Sequence, residues 1–121
     1  VSAAKDKGDR AEREVQALLR DLLGVPARRK LGAGRADDTG DIEGVADTTI
    51  QVKSYNDVGR AIRECLDDLE EQHARSGDTF AAGFVRRPGG RYFVVLSPEM
   101  WATYWREATR PAGVSEHEAP T

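Results

Sequence analysis

The chain is poor in the residues on which many chemistries depend. Its one cysteine, Cys65, can form no internal disulfide and no multi-thiolate zinc site. Two histidines, His73 and His117, leave little to build a histidine metal centre or a Ser-His-Asp triad from. No apolar run approaches the ~18 to 20 residues of a membrane span, and the start has no charged-then-apolar leader pattern. The Gly-Ala-Gly at 32–34 lacks the spacing of the dinucleotide fingerprint, and there is no P-loop. Length is short as well: 121 residues suit one core. A 39% hydrophobic content is enough for that core and argues against a disordered chain. These absences predict a soluble, cytoplasmic protein with no membrane partner.

A basic surplus is also missing. The net charge of -3 argues weakly against a nucleic-acid partner. The charge is segregated, however. Residues 64–71 hold Glu64, Asp67, Asp68, Glu70 and Glu71 with no Lys or Arg; without them 16 acids face 18 bases. The bases cluster at Lys5, Lys7, Arg10 and Arg13, at Arg28, Arg29, Lys30 and Arg35, and at Arg86, Arg87 and Arg91. Each cluster is either a solvated face or part of a surface for a polyanion, and charge alone does not decide.

Periodicity gives the elements. Residues 8–23 read as an amphipathic helix with Ala11, Val15, Leu18, Leu19 and Leu22 on one stripe, ended by Gly24 and Pro26. A short edge strand at 26–31 and a glycine-rich loop at 32–40 follow. Strands are predicted at 41–45 and 49–53, where Ile42, Ile50 and Val52 alternate with polar residues. A second helix spans 59–75, with Ile62, Cys65, Leu66 and Leu69 on its apolar face and the acids mostly off it. Strands at 80–86 and 91–96 flank Pro88-Gly89-Gly90 as a hairpin. Ser97 caps a last helix on which Trp101, Tyr104 and Trp105 share a face, either as core packing or as a dimer patch. This order predicts an α/β fold: a single small domain, residues 1–106, with a central mixed β-sheet flanked by helices, and a flexible tail at 107–121.

The chemistry-bearing set is Asp41, Gln51 and Lys53. Asp41 opens one strand, and Gln51 and Lys53 project from the same face of the next. If those strands pair, an acid, an amide oxygen and an ammonium converge. Mg²⁺ takes oxygen ligands and often few of them from protein. A nearby Lys positions or deprotonates an attacking water, or offsets charge on a phosphorane-like transition state.

This arrangement resembles the PD-(D/E)xK nuclease superfamily, written here as Gly40-Asp41, then Gln51-Val52-Lys53. It is most similar to the archaeal-type Holliday junction resolvases, in which a basic start and a first helix carry a Lys-Gly and an acid-Arg pair, here Lys7-Gly8 and Glu12-Arg13. The resemblance implies a restriction endonuclease-like αβββαββα fold. It also implies a metal-dependent, structure-selective DNA endonuclease that resolves four-way junctions as a homodimer, with Mg²⁺ replaceable by Mn²⁺. Asp41 would be the central metal ligand, with Gln51, the Val52 carbonyl and Glu12 completing the site and Lys53 as the catalytic lysine. Glu12 also lies nearer the apolar stripe than Glu14, by roughly 60° against roughly 100° at 100° per residue. DNA contacts would come from Lys5, Lys7, Arg10, Arg13, Arg28, Arg29, Lys30 and Arg35, with Thr39 near the scissile phosphate. Ser54 and Tyr55 either touch phosphate or end the strand.

Gln51 departs from the family, which usually has Glu or Asp there. Either Gln51 serves directly, as in the similar Gln-x-Lys of Mrr-like restriction endonucleases, or Glu43, on the same face as Asp41, compensates. The alternatives are an Mrr-like restriction or repair nuclease acting on other DNA, and a non-catalytic DNA-binding module.

Overall fold

The structure, a computed structural model, describes residues 3–30 and 39–112. The elements are α1 (Ala3–Leu23), β1 (Arg28–Arg29), β2 (Ile42–Glu43), β3 (Thr48–Lys53), α2 (Val58–Ser76), β4 (Phe80–Arg87), β5 (Arg91–Val95) and α3 (Pro98–Ala108). The five strands form one mixed sheet in the order β1-β2-β3-β4-β5. Only β3 and β4 run parallel; the other neighbours are antiparallel. A parallel pair cannot be closed by a tight turn, and α2 is the crossover that joins it. The domain is thus the α/β fold expected, with three helices on a central mixed sheet.

Each helix has a physical start and stop. Asp57 caps α2 by accepting from the Arg60 N–H, and Gly77, at φ 72°, ends it by donating to the His73 carbonyl. Ser97 accepts from the Met100 N–H, with Pro98 in the first turn of α3. The α1 helix begins at Ala3 rather than at Gly8, because Ala, Lys and Asp carry it through one glycine that costs only about 1 kcal/mol.

The sheet is covered on both faces. Ala11, Val15 and Leu19 of α1 pack on Ile42, Ile50, Val52, Ala82 and Phe84. Ala61 and Cys65 of α2 pack against Val85 on the opposite face, and Leu69 joins Ala81 and Met100 there. Burial of the Val, Leu, Ile, Phe and Met side chains among these stabilises by about 1.5 to 3 kcal/mol each.

Several boundaries differ from expectation. The edge strand β1 is only two residues long. Leu22, expected on the buried stripe, is 70% exposed, because the helix is buried only as far as Leu19. The three aromatics of α3 do not share an environment. Tyr104 packs on Phe80 and donates to the Ala81 carbonyl, while Trp101 and Trp105 face outward. The last helix continues through Ala108, past the expected start of the tail. Arg35, Asp37, Asp38 and His117 lie outside the described residues.

Candidate active site

The β3 strand divides its side chains between the two faces. With Ile50 and Val52 committed to the α1 core, Thr49, Gln51 and Lys53 point to the α2 face. The buried Thr49 hydroxyl lies 2.6 Å from Ser76 Oγ and donates to Asp78 Oδ2 at 2.8 Å, so both its bonds go to the end of α2.

Asp41 reaches this strand because of the residue before it. Gly40 has φ 119°, and a Cβ there would stand 2.8 Å from the Ile50 carbonyl oxygen. Without a side chain in the way, the Asp41 N–H donates to that carbonyl at 2.7 Å. The carboxylate is buried, and its Oδ2 accepts from the Val52 N–H at 2.9 Å. In a strand the N–H and C=O of one residue share an edge, so the Val52 carbonyl oxygen faces the same side as Asp41. Gln51 is 5% exposed, and its Oε1 is buried with no hydrogen-bond partner. An unpaired buried oxygen costs roughly 1 to 3 kcal/mol, which a cation at that place would offset.

These oxygens fit a hard divalent cation, though sparsely. Among the described residues no group of three or more His, Cys, Asp and Glu forms a cation cage. One carboxylate, one amide oxygen and one carbonyl suit an ion such as Mg²⁺, which keeps water and substrate phosphate as its remaining ligands.

Lys53 stands beside them, its Nζ 2.6 Å from Asp68 Oδ2. Burial alone would lower the ammonium, but the Asp68 hydrogen bond and charge outweigh it and its pKa is raised. Lys53 therefore stays protonated and supplies charge and N–H donors rather than a base. Its Nζ also sits 5.8 Å from the Tyr55 ring centre, and Arg60 covers that ring at 5.0 Å. The Cys65 thiol, beneath the Gln51 carbonyl at 3.9 Å, is pushed up to about 12 by burial and is no nucleophile.

The other expected residues divide. Glu12 is on α1, and its carboxylate accepts from Arg29 Nε at 3.1 Å rather than joining Gln51 and Lys53 on the α2 face. Arg29 also binds Asp9 at 2.8 Å. Glu43 pairs with Arg28 at 3.3 Å, and Lys5 with Asp9 at 2.9 Å. Lys30 donates its ammonium to the Thr39 hydroxyl and its backbone N–H to the Asp41 carbonyl at 2.8 Å, so both residues flank the site. Lys7 donates to Asn56.

Asp68 is the residue that the sequence reading passed over. It sits in the acidic stretch, expected mostly off the apolar face of the helix, yet it is roughly 60° from Cys65 by the 100° rule. That is the same offset that drew attention to Glu12. Glu64, from the same stretch, accepts from the Tyr55 hydroxyl at 3.0 Å and from Arg60.

Three clefts, of about 440, 420 and 240 Å³, share Lys7 of α1. Two of them are floored by Ser54, Tyr55 and Asn56, and the smallest reaches Arg86 and Arg87 at the β4–β5 hairpin. Among the described residues no helix is long and apolar enough to cross a membrane. Comparison of the chain with protein-family models, curated proteins and solved structures gave no match at any of these levels.

Proposed function

We propose that the chain is a metal-dependent DNA endonuclease of the PD-(D/E)xK kind. The observation that carries this reading is the buried Asp41 carboxylate bonded to β3, with an unpartnered Gln51 oxygen and a charged Lys53 on that strand. Asp41, Gln51 and the Val52 carbonyl would hold a divalent cation. When bound, that cation polarises the phosphate and lowers the pKa of an attacking water. Lys53, kept protonated and aimed by Asp68, offsets the charge that grows on the phosphate oxygens. Glu12 contributes only if Arg29 releases it. A four-way junction is the substrate the resemblance favours, cut by a homodimer whose two sites make symmetric nicks.

The test is cleavage of four-way, flap and linear DNA with Mg²⁺ or Mn²⁺. Asp41→Asn and Lys53→Met should each lower the rate by about 100-fold or more while keeping the native circular dichroism spectrum. Equal cutting by either variant overturns the site. Preference for linear duplex over junctions points to a restriction or repair nuclease instead. Light scattering that shows a monomer under cutting conditions counts against paired nicking.

A second reading, a DNA-binding module that cuts nothing, is favoured by the pairing of Glu12 with Arg29 and the sparse donor set. Calorimetric titration with Mn²⁺ separates the two. Heat that Asp41→Asn removes supports the nuclease, and no heat supports the module.

A further inference from the structure

The basic residues fall into two populations. Arg28, Arg29 and Lys5 each have a carboxylate within ion-pair distance. Lys7, Arg10 and Arg87 have none among the described residues. The difference matters for a polyanion. A cation that must leave its own carboxylate gains little from a phosphate, whereas one without a carboxylate gives up its counterion and, for Lys7, at most the neutral Asn56 oxygen it donates to.

Lys7, Arg10 and Arg87 lie along one path. Lys7 and Arg10 project from the first turns of α1 into adjoining clefts. Arg87 stands at the far lip, its guanidinium 4.7 Å over the Phe93 ring, which orients it without neutralising it. Ser54 and Asn56 floor the space between, and Ser54 follows Lys53 directly in the chain. Neighbouring Arg86 is bound by Glu14 at 2.7 Å and belongs to the scaffold. Asp57 also lines the groove, but its carboxylate is engaged as the α2 cap.

We propose that this groove, from Lys7 across Ser54–Asn56 to Arg87, binds the sugar-phosphate backbone of duplex DNA flanking the site, and that the paired bases at the β1 edge do not. The assignment rests on the reading that the chain acts on DNA, but not on cutting. It also brings in a hairpin residue and two loop residues as backbone contacts. Phosphate contacts fix position without reading sequence, so the groove serves any duplex arm.

The experiment compares two double variants of the full chain with the same change in net charge. One is Lys7→Gln with Arg87→Gln; the other is Lys5→Gln with Arg28→Gln. Anisotropy of a labelled duplex is followed in Ca²⁺, so that binding is read without cleavage. The groove pair should weaken binding about tenfold near 100 mM salt and reduce the slope of log K against log salt by about 2. The paired set should change affinity less than about twofold, with nearly the same slope. Equal losses, or a larger loss from the paired set, overturn the proposal. Should the groove pair fail to fold, Arg87→Gln alone, on a hairpin tip, must still lower the slope by about 1. Wild-type binding with no cutting in Mg²⁺ removes the nuclease reading and leaves the groove standing. Cutting with unaltered binding by the groove pair removes the groove alone.

Discussion

The two faces of the sheet meet along β3 and could hardly differ more. Toward α1 the strand presents Ile50 and Val52, which pack among buried Ala, Val, Leu, Ile and Phe side chains. Toward α2 it presents Thr49, Gln51 and Lys53. The first face pays back apolar area and nothing else. The second places an amide and an ammonium in a buried setting where polar groups are costly unless partnered. Thr49 finds two partners and Lys53 finds Asp68, while the Gln51 oxygen finds none. A six-residue strand thus stabilises the domain with one set of positions and accepts an unmet cost with the other. Such a local cost is expected where function, rather than folding, fixes the residue.

The strongest way to break this contrast is to damage the first face. Ile50→Ala should destabilise the domain by about 3 kcal/mol, since Ile50 is fully buried between α1 and the sheet. Urea unfolding followed by circular dichroism measures this. A loss under about 1 kcal/mol would mean that α1 does not seat on β3 in solution. Next in size is Gly83→Ala on the second face. Gly83 pairs with Gln51 across the β3–β4 ladder, and a Cβ there would come 2.6 Å from both Cys65 Sγ and Val95 Cγ2. Overpacking of this kind costs about 2 kcal/mol. It should also lift α2, and with it Asp68, from Lys53. The same unfolding experiment shows the stability loss. A variant as stable as wild type would mean that α2 does not rest on Gly83.

Much of this was legible in the sequence. The alternation of Ile42, Ile50 and Val52 gave the face, and Ser97, Gly24 and the Pro-Gly-Gly turn mark the ends of elements because their backbone chemistry is local. The approach of Asp41 to β3 followed from pairing two strands. What stayed hidden depends on partners far apart in the chain. Nothing within reach of Asp68 in sequence announces Lys53, and nothing near Arg29 announces Asp9 and Glu12. Clusters of bases could be counted, but which were already neutralised could not. The fate of Leu22, Trp101 and Trp105 depends on where the sheet ends, and periodicity does not carry that information.

The smallest expected effect is the sharpest test of the contrast, because its sign is unusual. Gln51→Met keeps the length and flexibility of the side chain and removes the amide. On an ordinary core face a change of this size costs up to about 1.5 kcal/mol. Here the oxygen it removes is buried and unpartnered, so the apo protein should become more stable by about 1 kcal/mol. Thermal unfolding in EDTA reads that gain. Adding Mn²⁺ should then raise the melting temperature of the wild type but hardly that of the variant, since only the wild type keeps the amide ligand. A variant less stable than wild type in EDTA would show that the amide has a partner in solution, and the cost assigned to the second face would disappear. A gain in EDTA with equal Mn²⁺ stabilisation of both proteins would keep the cost but remove Gln51 from the metal site, leaving Asp41 and the backbone to hold the ion.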